Sequence, residues 1–432
     1  MKKLLLFLIA CVFISAISFS QATWVEQTAP PVVPPLYSVN AFSSLIAWAS
    51  GDNGTVLLTT NGGINWVYKD APQAGNFTIY GINGLDPVTA LCLVNTTNAG
   101  LILKTTNSGN TWNIVFARPG QYLDDMKFIN STTGYVYGDP LGTSWFFIKT
   151  TNAGITWDTT VTRPTAAGFE QGFENGMFVQ NIIGNLVKIW FGSDNGFVIF
   201  SLNNAASWGK SPTPSNNQVR GITFLDANTG FCGGQKPFLS GTSGNNWIFQ
   251  ANYPNLGTFH SFANSAGYVW YASGTGICYS TDQGANFTLQ HSSPDNSDYT
   301  HMSFTLSLSD VNLTTITGWG ISDNGVISKY SQANIGIHQI STEIPNGYIL
   351  EQNYPNPFNP ATKIRFSIPF SGYIALNAYD ILGRLVKNIF KGNLKPGNYE
   401  TDFDASELSS GLYFYKLESE KFTEVKKMIV VK

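Results

Sequence analysis

The chain has 432 residues, enough for two or three domains. Only 12% of the residues are charged, 14% are aromatic and 42 are glycine, a composition that favours an all-β protein with many tight turns. The formal net charge of −3 argues against a nucleic-acid-binding surface, which needs a basic field.

The N-terminus predicts a secretory signal peptide at residues 1–20. Lys2 and Lys3 form a basic start, residues 4–17 are apolar, and Ser18-Phe-Ser20 is a small-x-small cleavage site. After residue 20 no apolar run is long enough to span a bilayer. We therefore expect an exported chain that has no transmembrane segment once the signal is removed.

The cysteines show no paired spacing. Leu8 to Cys11 resembles a lipoprotein box, but cleavage there would leave a very short apolar region, so ordinary signal processing is favoured. Cys92, Cys232 and Cys278 lie in apolar, strand-like runs and are predicted to be small buried core residues.

An eight-residue motif, Thr-Thr-Asn-Gly-Gly-Ile-Asn-Trp at residues 59–66, recurs at steps of roughly 40 to 50 residues, a spacing typical of propeller repeats. Its third residue is expected to accept hydrogen bonds from the turn, and its glycine to take positive φ. Thr242 and Ala205 replace these residues in two copies, whose turns are expected to be looser. The terminal aromatic residues, expected to wedge between sheets, are Trp66, Trp112, Trp157, Trp208, Trp247 and Phe287.

Three apolar runs precede each copy and the aromatic residue opens a fourth, which predicts one four-stranded propeller blade per repeat. In the first copy the runs are 36–41, 45–50 and 55–60. A seventh repeat at 318–330 lacks its fourth strand. Residues 23–27 are predicted to supply that strand and so to close the ring.

The motif copies resemble Asp-box (BNR-type) repeats. Residues 22–335 resemble the seven-bladed propellers related to photosystem II assembly factors and, more distantly, sialidases and xyloglucan-cleaving glycosidases. The resemblance implies a seven-bladed β-propeller at residues 21–335. It also implies that the motif lies at the periphery, away from the functional face.

Catalytic candidates in the propeller are sparse. Arg118, Arg163 and Arg220 are expected to be solvated loop residues in the linkers that lead into first strands, and the Arg-Ile-Pro signature of sialidases is absent. A glycosidase needs two carboxylates about 5–10 Å apart. Asp124 and Asp125 are adjacent on a strand and so point to opposite faces. The remaining acidic candidates are Glu170 and Glu174.

Other polar and aromatic residues are assigned to structure. The aspartates of the Asp-Asn-Gly turns suit turn chemistry better than calcium, the large aromatics suit inter-blade core better than sugar stacking, and the histidines lack metal-ligand spacing. No catalytic residue, metal site or cofactor is therefore predicted. The residues weighed here are Asp52, Asp194, Asp323, Trp145, Trp190, Tyr299, His260, His291, His301 and His338.

The chain changes character near residue 340, where lysine and arginine become frequent. Residues 331–348 are polar and predict an irregular connection, with the linker placed at 336–349. The Pro-rich run at 353–360 forbids regular helix or central strand. Short alternating strands then follow, which predicts a small Ig-like β-sandwich at residues 350–432.

This segment closely resembles the type A C-terminal sorting domain of the type IX (Por) secretion system. The motifs that carry the resemblance are Asn353-Tyr-Pro-Asn-Pro-Phe-Asn-Pro360, Tyr379-Asp-Ile-Leu-Gly-Arg-Leu-Val386, Pro396-Gly-Asn-Tyr399, Leu408-Ser-Ser-Gly-Leu-Tyr413 and Lys426-Lys-Met-Ile-Val-Val-Lys432. The resemblance implies export to the outside or to the outer cell surface through the outer-membrane translocon, with cleavage by a sortase-like peptidase. The recognition residues that it implies are Gly397, Tyr399, Gly411, Tyr413, Lys426 and Lys427.

We therefore expect a secreted cargo whose propeller binds a glycan or a surface protein, since a rigid ring displays loops without a visible catalytic set. The alternative is a secreted glycoside hydrolase of sialidase-like or xyloglucanase-like type. A central pocket holding two carboxylates of raised pKa would favour the hydrolase.

Overall fold

The computed structural model describes residues 23–30, 32–182, 186–215, 217–308, 313–341, 343–405 and 408–432. The predicted signal peptide lies outside the described residues. Apart from a 3-10 turn at Pro72–Ala74, the elements are β-strands in antiparallel sheets.

Up to residue 341 the strands form successive sheets in chain order. The first sheet has β2 (Leu36–Ala41), β3 (Ala47–Gly51), β4 (Val56–Thr59) and β5 (Val67–Tyr68), and β1 (Thr23–Glu26) precedes it. The second has β6 (Ile79–Gly84), β7 (Ala90–Asn95), β8 (Ala99–Thr105) and β9 (Asn113–Pro119). The third has β10 (Leu123–Phe128), β11 (Gly134–Leu141) and β12 (Ser144–Thr150). The fourth has β13 (Met177–Ile182), β14 (Leu186–Gly192), β15 (Phe197–Ser201) and β16 (Gly209–Pro212). The fifth has β17 (Val219–Phe224), β18 (Gly230–Gly234), β19 (Pro237–Ser240) and β20 (Ile248–Phe249). The sixth has β21 (Phe259–Ser265), β22 (Tyr268–Ser273), β23 (Gly276–Ser280) and β24 (Thr288–Ser292). Then come β25 (Tyr299–Leu308), β26 (Leu313–Ser322) and β27 (Ile327–Ser341).

The first strands of neighbouring sheets contact one another in turn, and β25 returns to contact β2. Sheets arranged in this way around a common channel are a β-propeller. The predicted all-β propeller class is therefore confirmed, while the count of seven blades stays a prediction.

The third repeat departs from the expected four strands. In the described part of the chain its sheet has three strands, and only isolated bridges, such as Lys149 with Asp158, stand where a fourth would pair. Asp158 turns back to accept the amide and hydroxyl of Thr160, and Pro164 has no N–H to donate. The chain instead runs without a long strand to residue 176.

The repeated turns have the expected geometry. The five motif glycines have φ between 74° and 87°. In all six copies the hydroxyl of the first residue accepts the fifth residue's N–H at 2.8–3.0 Å. The third residue accepts a later N–H at 2.9–3.0 Å, including Thr242. The expectation of looser turns at Thr242 and Ala205 is wrong, because Thr242 Oγ1 replaces the amide oxygen and Ala205 adopts φ 63°.

The motif aromatics pack against the preceding sheet. Trp112 meets Trp48 edge-on at 6.2 Å between centroids, and Trp66 meets Trp319 at 6.5 Å. Trp112 shares a buried cluster with residues of both the first and second sheets. The predicted wedging between neighbouring sheets is thus confirmed for these rings.

The ring closes where the sequence predicts. Strand β1 pairs antiparallel with β27, with Trp24 opposite Tyr330. The Trp24 ring stacks on His291 and contacts Phe304, and its Nε1 donates to Gln290 Oε1 at 2.9 Å. The two ends of the propeller are therefore joined by a ladder of β-sheet hydrogen bonds.

The tail forms a separate core between two sheets. One contains β28 (Ile349–Leu350), β29 (Ala361–Ile368) and β32 (Gly397–Asp404), and the other β30 (Gly372–Tyr379), β31 (Leu385–Leu394), β33 (Gly411–Glu418) and β34 (Thr423–Val430). Its buried residues all lie between 350 and 430.

The expectation of an irregular chain from residue 331 is wrong, because β27 continues to Ser341 and pairs with β32. The reason is that β27 pairs with β26 and β1 along its first part and with β32 along its last part. The Ig-like character of the tail and the predicted domain boundaries stay predictions.

Candidate functional site

The six residues predicted for sorting divide between the two sheets of the tail. Gly397 and Tyr399 lie on β32, whereas Gly411 and Tyr413 lie on β33 and the two lysines on β34. Strands β33 and β34 are paired, with Tyr413 opposite Met428 and Tyr415 opposite Lys426. Four of the six are therefore neighbours on one sheet, and two belong to the other.

The two tyrosines of this set belong to the core. Tyr399 is 0% exposed, stacks on Phe366 at 5.5 Å and donates its hydroxyl to the Lys395 carbonyl. Burial raises its pKa to about 12. Tyr413 is 8% exposed and donates to the Ser409 carbonyl at 3.0 Å. Their position suits holding the fold, not contacting a partner.

Gly411 and Lys427 are exposed, and Lys426 is half-buried in an ion pair with Glu424 at 2.7 Å. Strand β34 is the last strand of its sheet, so its outer edge would present unpaired backbone groups. These residues form the part of the predicted set that another protein can reach.

The Pro-rich run covers that edge, a role that sequence reasoning missed. Gln352 Nε2 donates to the Lys427 carbonyl at 2.8 Å, and Asn356 Oδ1 accepts the Ile429 N–H at 2.9 Å. Phe358 exchanges backbone hydrogen bonds with Ile429 and Val431. The signal was present, because prolines and asparagines beside a terminal strand suit an edge cap.

A second group of side chains meets at one mouth of the propeller channel. Six of the first strands have a bulge one residue after their first buried residue. A bulge re-aims the extra side chain, and here it does so at the same level in each sheet. We call these six residues the bulge ring: Tyr37, Tyr80, Asp124, Arg220, His260 and Thr300.

The bulge ring carries an aromatic arc and a cation. Tyr37 and Tyr80 have centroids 5.3 Å apart, and Tyr122 continues the arc at 6.3 Å from Tyr80. The Arg220 guanidinium lies 4.8 Å from the Phe173 ring. The three tyrosines, Phe173 and Arg220 are all half-buried, so each side chain presents part of its surface at the mouth.

The tip of the strand-poor segment at 158–176 enters this mouth. Asn175 Nδ2 donates to the carbonyls of Tyr37 and Tyr80, and its Oδ1 accepts the Ser38 hydroxyl at 2.8 Å. Its φ of 57° lies in the left-handed region that asparagine tolerates. This one side chain ties the tip to the first two sheets.

Acidic side chains lie beneath the tip. Asp124 is buried, and among the described residues its Oδ2 has no hydrogen-bond partner. Burial, with Asp139 and Glu174 nearby, raises the pKa of Asp124 well above its usual value. Burial also raises the pKa of Asp139, which accepts the Gly172 N–H. Glu174 accepts the Tyr122 hydroxyl at 2.6 Å.

The other candidate acids have structural partners. Asp125 accepts the Met177 N–H at 3.0 Å and pairs with Lys127 at 3.2 Å, which joins the third and fourth sheets. Glu170 pairs with Lys210. The prediction that Asp124 and Asp125 point to opposite faces assumed regular alternation, which the bulge at Asp124 interrupts, and it stays a prediction.

The three arginines do not converge. The expectation that all lie in linkers is wrong for Arg118, which is in β9, and for Arg220, which is in β17. Arg118 and Arg163 both lie near the Phe146 ring, at 5.3 and 5.9 Å. Their placement follows from cation–π contact with an aromatic side chain. Arg220 alone reaches the bulge ring.

The remaining candidates are structural. Trp145, Trp190 and Tyr299 are fully buried, as expected of inter-blade core. The turn aspartates accept hydrogen bonds from Thr78, Gln171 and Asp298, which lie before the adjoining first strands.

The described cysteines are free and buried, as predicted. His301 accepts the Val39 N–H, and burial lowers its pKa well below the usual value. Within the described ranges, no His, Cys, Asp and Glu group has metal-site geometry.

Comparison with known proteins agrees with this two-part organisation. Residues 352–431 match the family of secretion system C-terminal sorting domains. No curated protein matches the chain. Over the described residues, no helix is long and apolar enough to cross a membrane.

The solved structures that the chain resembles are propellers. YCF48 bound to D1 peptide is 14% identical, with a TM-score of 0.52 over 73% of this chain and 96% of that one. YCF48 from Cyanidioschyzon merolae is 15% identical, with a TM-score of 0.50 over 71% and 98%. The WD40 β-propeller domain of Doa1 is 10% identical, with a TM-score of 0.51 over 72% and 97%. At such identities the likeness shows the fold alone.

Fold and tail together define a β-propeller protein with a C-terminal secretion sorting domain. The chain is a secreted cargo protein of the type IX secretion system, and its tail implies interaction with that machinery and attachment at the cell surface.

Proposed function

We propose that the propeller is an extracellular binding module and that its ligand docks on the bulge ring. The observation that carries this proposal is the repeated bulge, which aims one side chain from each of six first strands at the same mouth. Bulges are frequent beside functional sites because they redirect a side chain without changing the sheet.

The chemistry of the bulge ring favours a glycan. Tyrosine rings stack on the apolar faces of sugars while their hydroxyls reach water or the ligand. Arg220 and His260, on the first strands of the fifth and sixth sheets, add hydrogen-bond donors to the same ring. A peptide is the other ligand class, and the YCF48 structure with a bound peptide belongs to the same fold.

A binding test separates these ligands. The full secreted chain is screened against a glycan array, and hits are titrated by calorimetry. Tyr37→Ala and Arg220→Ala are expected to weaken glycan binding at least tenfold, which corresponds to about 1.4 kcal/mol. Phe169→Ala is the control, because Phe169 is 100% exposed on the segment that reaches the mouth but lies outside the bulge ring. Unchanged binding in both ring variants would exclude this site.

The hydrolase alternative has one observation in its favour, the raised pKa of Asp124 and Asp139. A protonated acid beside a carboxylate is the arrangement that glycoside hydrolysis requires. However, Asp124 is covered by the tip at Gly172, where an added Cβ would lie 2.2 Å from Oδ2. Release of reducing sugar from array hits, abolished by Asp124→Asn, would establish this activity in place of simple binding.

We also propose that Gly411, Lys426 and Lys427 contact the translocon and its sortase-like peptidase, while Gly397, Tyr399 and Tyr413 maintain the fold that presents them. Lys427→Ala is expected to reduce export, and Lys421→Ala, also exposed in the tail, serves as its control. Deletion of residues 350–432 is expected to leave the protein in the periplasm. Normal export of that deletion would contradict the sorting role.

A further inference from the structure

The opposite mouth of the channel, where the first strands end, holds a cavity of about 640 Å³. Strands β10, β13, β17, β21 and β25 contribute its wall, so the cavity lies on the channel side of the sheets. We call it the lower cavity. Its volume is within the range of small-ligand sites.

The wall of the lower cavity combines aromatic and amide side chains. Phe128, Phe178 and Phe304 are half-buried and line the cavity from three different sheets. One face of Phe304 stacks on Trp270 at 4.1 Å and one face of Phe178 on Phe224 at 6.2 Å, so each of these two rings has at most one face for a ligand. Gln180 and Asn181 add amides from β13. Of the described residues, those that the propeller contributes to this wall include no lysine or arginine. A neutral ligand suits such a wall better than an anion.

One polar atom in the wall has no partner. Gln180 Oε1 is buried, and no hydrogen bond reaches it from the residues that the structure describes. A buried acceptor without a donor costs free energy, so a ligand that brings an O–H or N–H group would gain by supplying it. Asp226 also lines the wall, but its Oδ1 already accepts the Asn228 and Thr229 N–H groups at 2.8 Å. These features of the wall favour an uncharged ligand that has several hydrogen-bond donors and flat apolar faces.

The tail borders this cavity. Tyr373 and Lys391 complete the wall from strands β30 and β31. The Tyr373 hydroxyl donates to the Leu225 carbonyl at 3.2 Å, and Lys391 Nζ donates to Gln283 Oε1 at 3.2 Å. Burial beside Asp226 raises the pKa of Tyr373, so the phenol stays neutral in its contact. The sorting tail is thus seated on the propeller face that opens into the cavity.

We propose that the lower cavity is a binding site for a short neutral oligosaccharide, and that the seated tail narrows access to it until the tail leaves. A sugar provides a hydroxyl donor for Gln180 Oε1 and an apolar ring face for the phenylalanine surface that lines the cavity. The site is distinct from the bulge ring, which lies at the other mouth. The tail would in this way restrict access to the cavity during export, in addition to directing secretion.

The test uses the full chain with a protease site inserted after Ile344, an exposed residue in the connection to the tail. Because the pairing of β27 with β32 survives this cut, the cut chain is washed in dilute urea and release of the tail fragment is verified by gel filtration before binding is measured. Gly267→Cys with Lys391→Cys provides a lock, because a Cβ at Gly267 would lie 3.7 Å from the Lys391 Cβ, a normal disulfide separation. The positive φ of Gly267 strains that variant equally in both redox states, so the reduced form is its own control. The probe is a panel of neutral di- to tetrasaccharides titrated by calorimetry.

Binding is expected only when the chain is cut and the lock is reduced. The uncut chain and the cut, oxidised chain are expected to bind at least tenfold more weakly. Gln180→Ala is expected to weaken binding in the cut, reduced form, whereas Tyr37→Ala, at the other mouth, should leave it unchanged. Equal affinity in cut reduced and cut oxidised chains overturns the cover. Absence of binding to every saccharide in the cut, reduced chain overturns the site, and binding lost with Tyr37→Ala assigns the ligand to the bulge ring instead.

Discussion

Trp24 is the residue through which the ring closure is best tested. It lies on β1 and contacts His291, Phe304 and Tyr330 of the sixth and last sheets. Because the partner strand β27 ends the propeller, this side chain joins its two ends. We expect Trp24→Ala to destabilise the propeller more than any other single change on β1.

The magnitude follows from burial and hydrogen bonding. Truncating a buried tryptophan costs about 3–5 kcal/mol, and Trp24 is half-buried, so the lower figure applies. Loss of the bond to Gln290 adds less than the usual ~1 kcal/mol, since Gln290 Oε1 still accepts Trp270 Nε1 at 3.0 Å. The sum is about 3 kcal/mol, or roughly 6–12 °C in Tm at about 2–4 °C per kcal/mol.

Scanning calorimetry of the purified chain measures this shift. Val25→Ala is the matched control, because Val25 neighbours Trp24 on the same strand but is 57% exposed, and such changes stay within about 0.5 kcal/mol. Trp24→Phe should recover part of the loss. Equal melting of Trp24→Ala and Val25→Ala would refute the view that β1 holds the ring shut.

Three further outcomes are expected. The folded chain keeps a proton on Asp124 that the unfolded chain releases, so the free energy of unfolding should fall as pH rises above about 4, by up to about 1.4 kcal/mol per pH unit. Asp124→Asn should flatten that slope when urea unfolding is measured between pH 5 and 8. A thiol reagent should label Cys92, Cys232 and Cys278 only after unfolding, because all three are buried and burial raises their pKa values. The pKa of Cys278 is raised to about 11. Rapid labelling of the native chain would contradict this prediction. Asn356→Ala should lower the stability of the tail by about 1 kcal/mol, visible as earlier proteolysis of β34, because the Ile429 N–H loses its partner.

Features governed by local chain chemistry could be predicted from the sequence. Strand β2 matches the expected range 36–41, and β3 (Ala47–Gly51) overlaps the expected run 45–50. In both strands the apolar residues alternate or cluster between turn residues, and this pattern is enough to predict a strand. Closure by β1 was also predictable, because the last repeat lacked a strand and residues 23–27 supplied one.

Contacts between distant segments could not be predicted. The bulge ring depends on one extra residue per strand, and a bulge shifts register without leaving a composition signal. Asn175 meets Tyr37 across 138 positions, so no spacing rule links them. Likewise, Gln180 and Tyr373 lie in different sheets, and only their packing shows that they share a cavity.

Strand β27 pairs with β1 and with the tail through different residues, so closure of the ring does not depend on the tail. Its first part, Ser328 to Ser331, pairs with β1, and its last part, Ile337 to Ser341, pairs with β32 of the tail. The two sets of pairs do not overlap, so loss of the tail beyond Ser341 removes no hydrogen bond from the closure. The propeller can therefore lose its cover without opening its ring. What the departing tail would leave behind is a short unpaired edge on β27, beside the uncovered cavity.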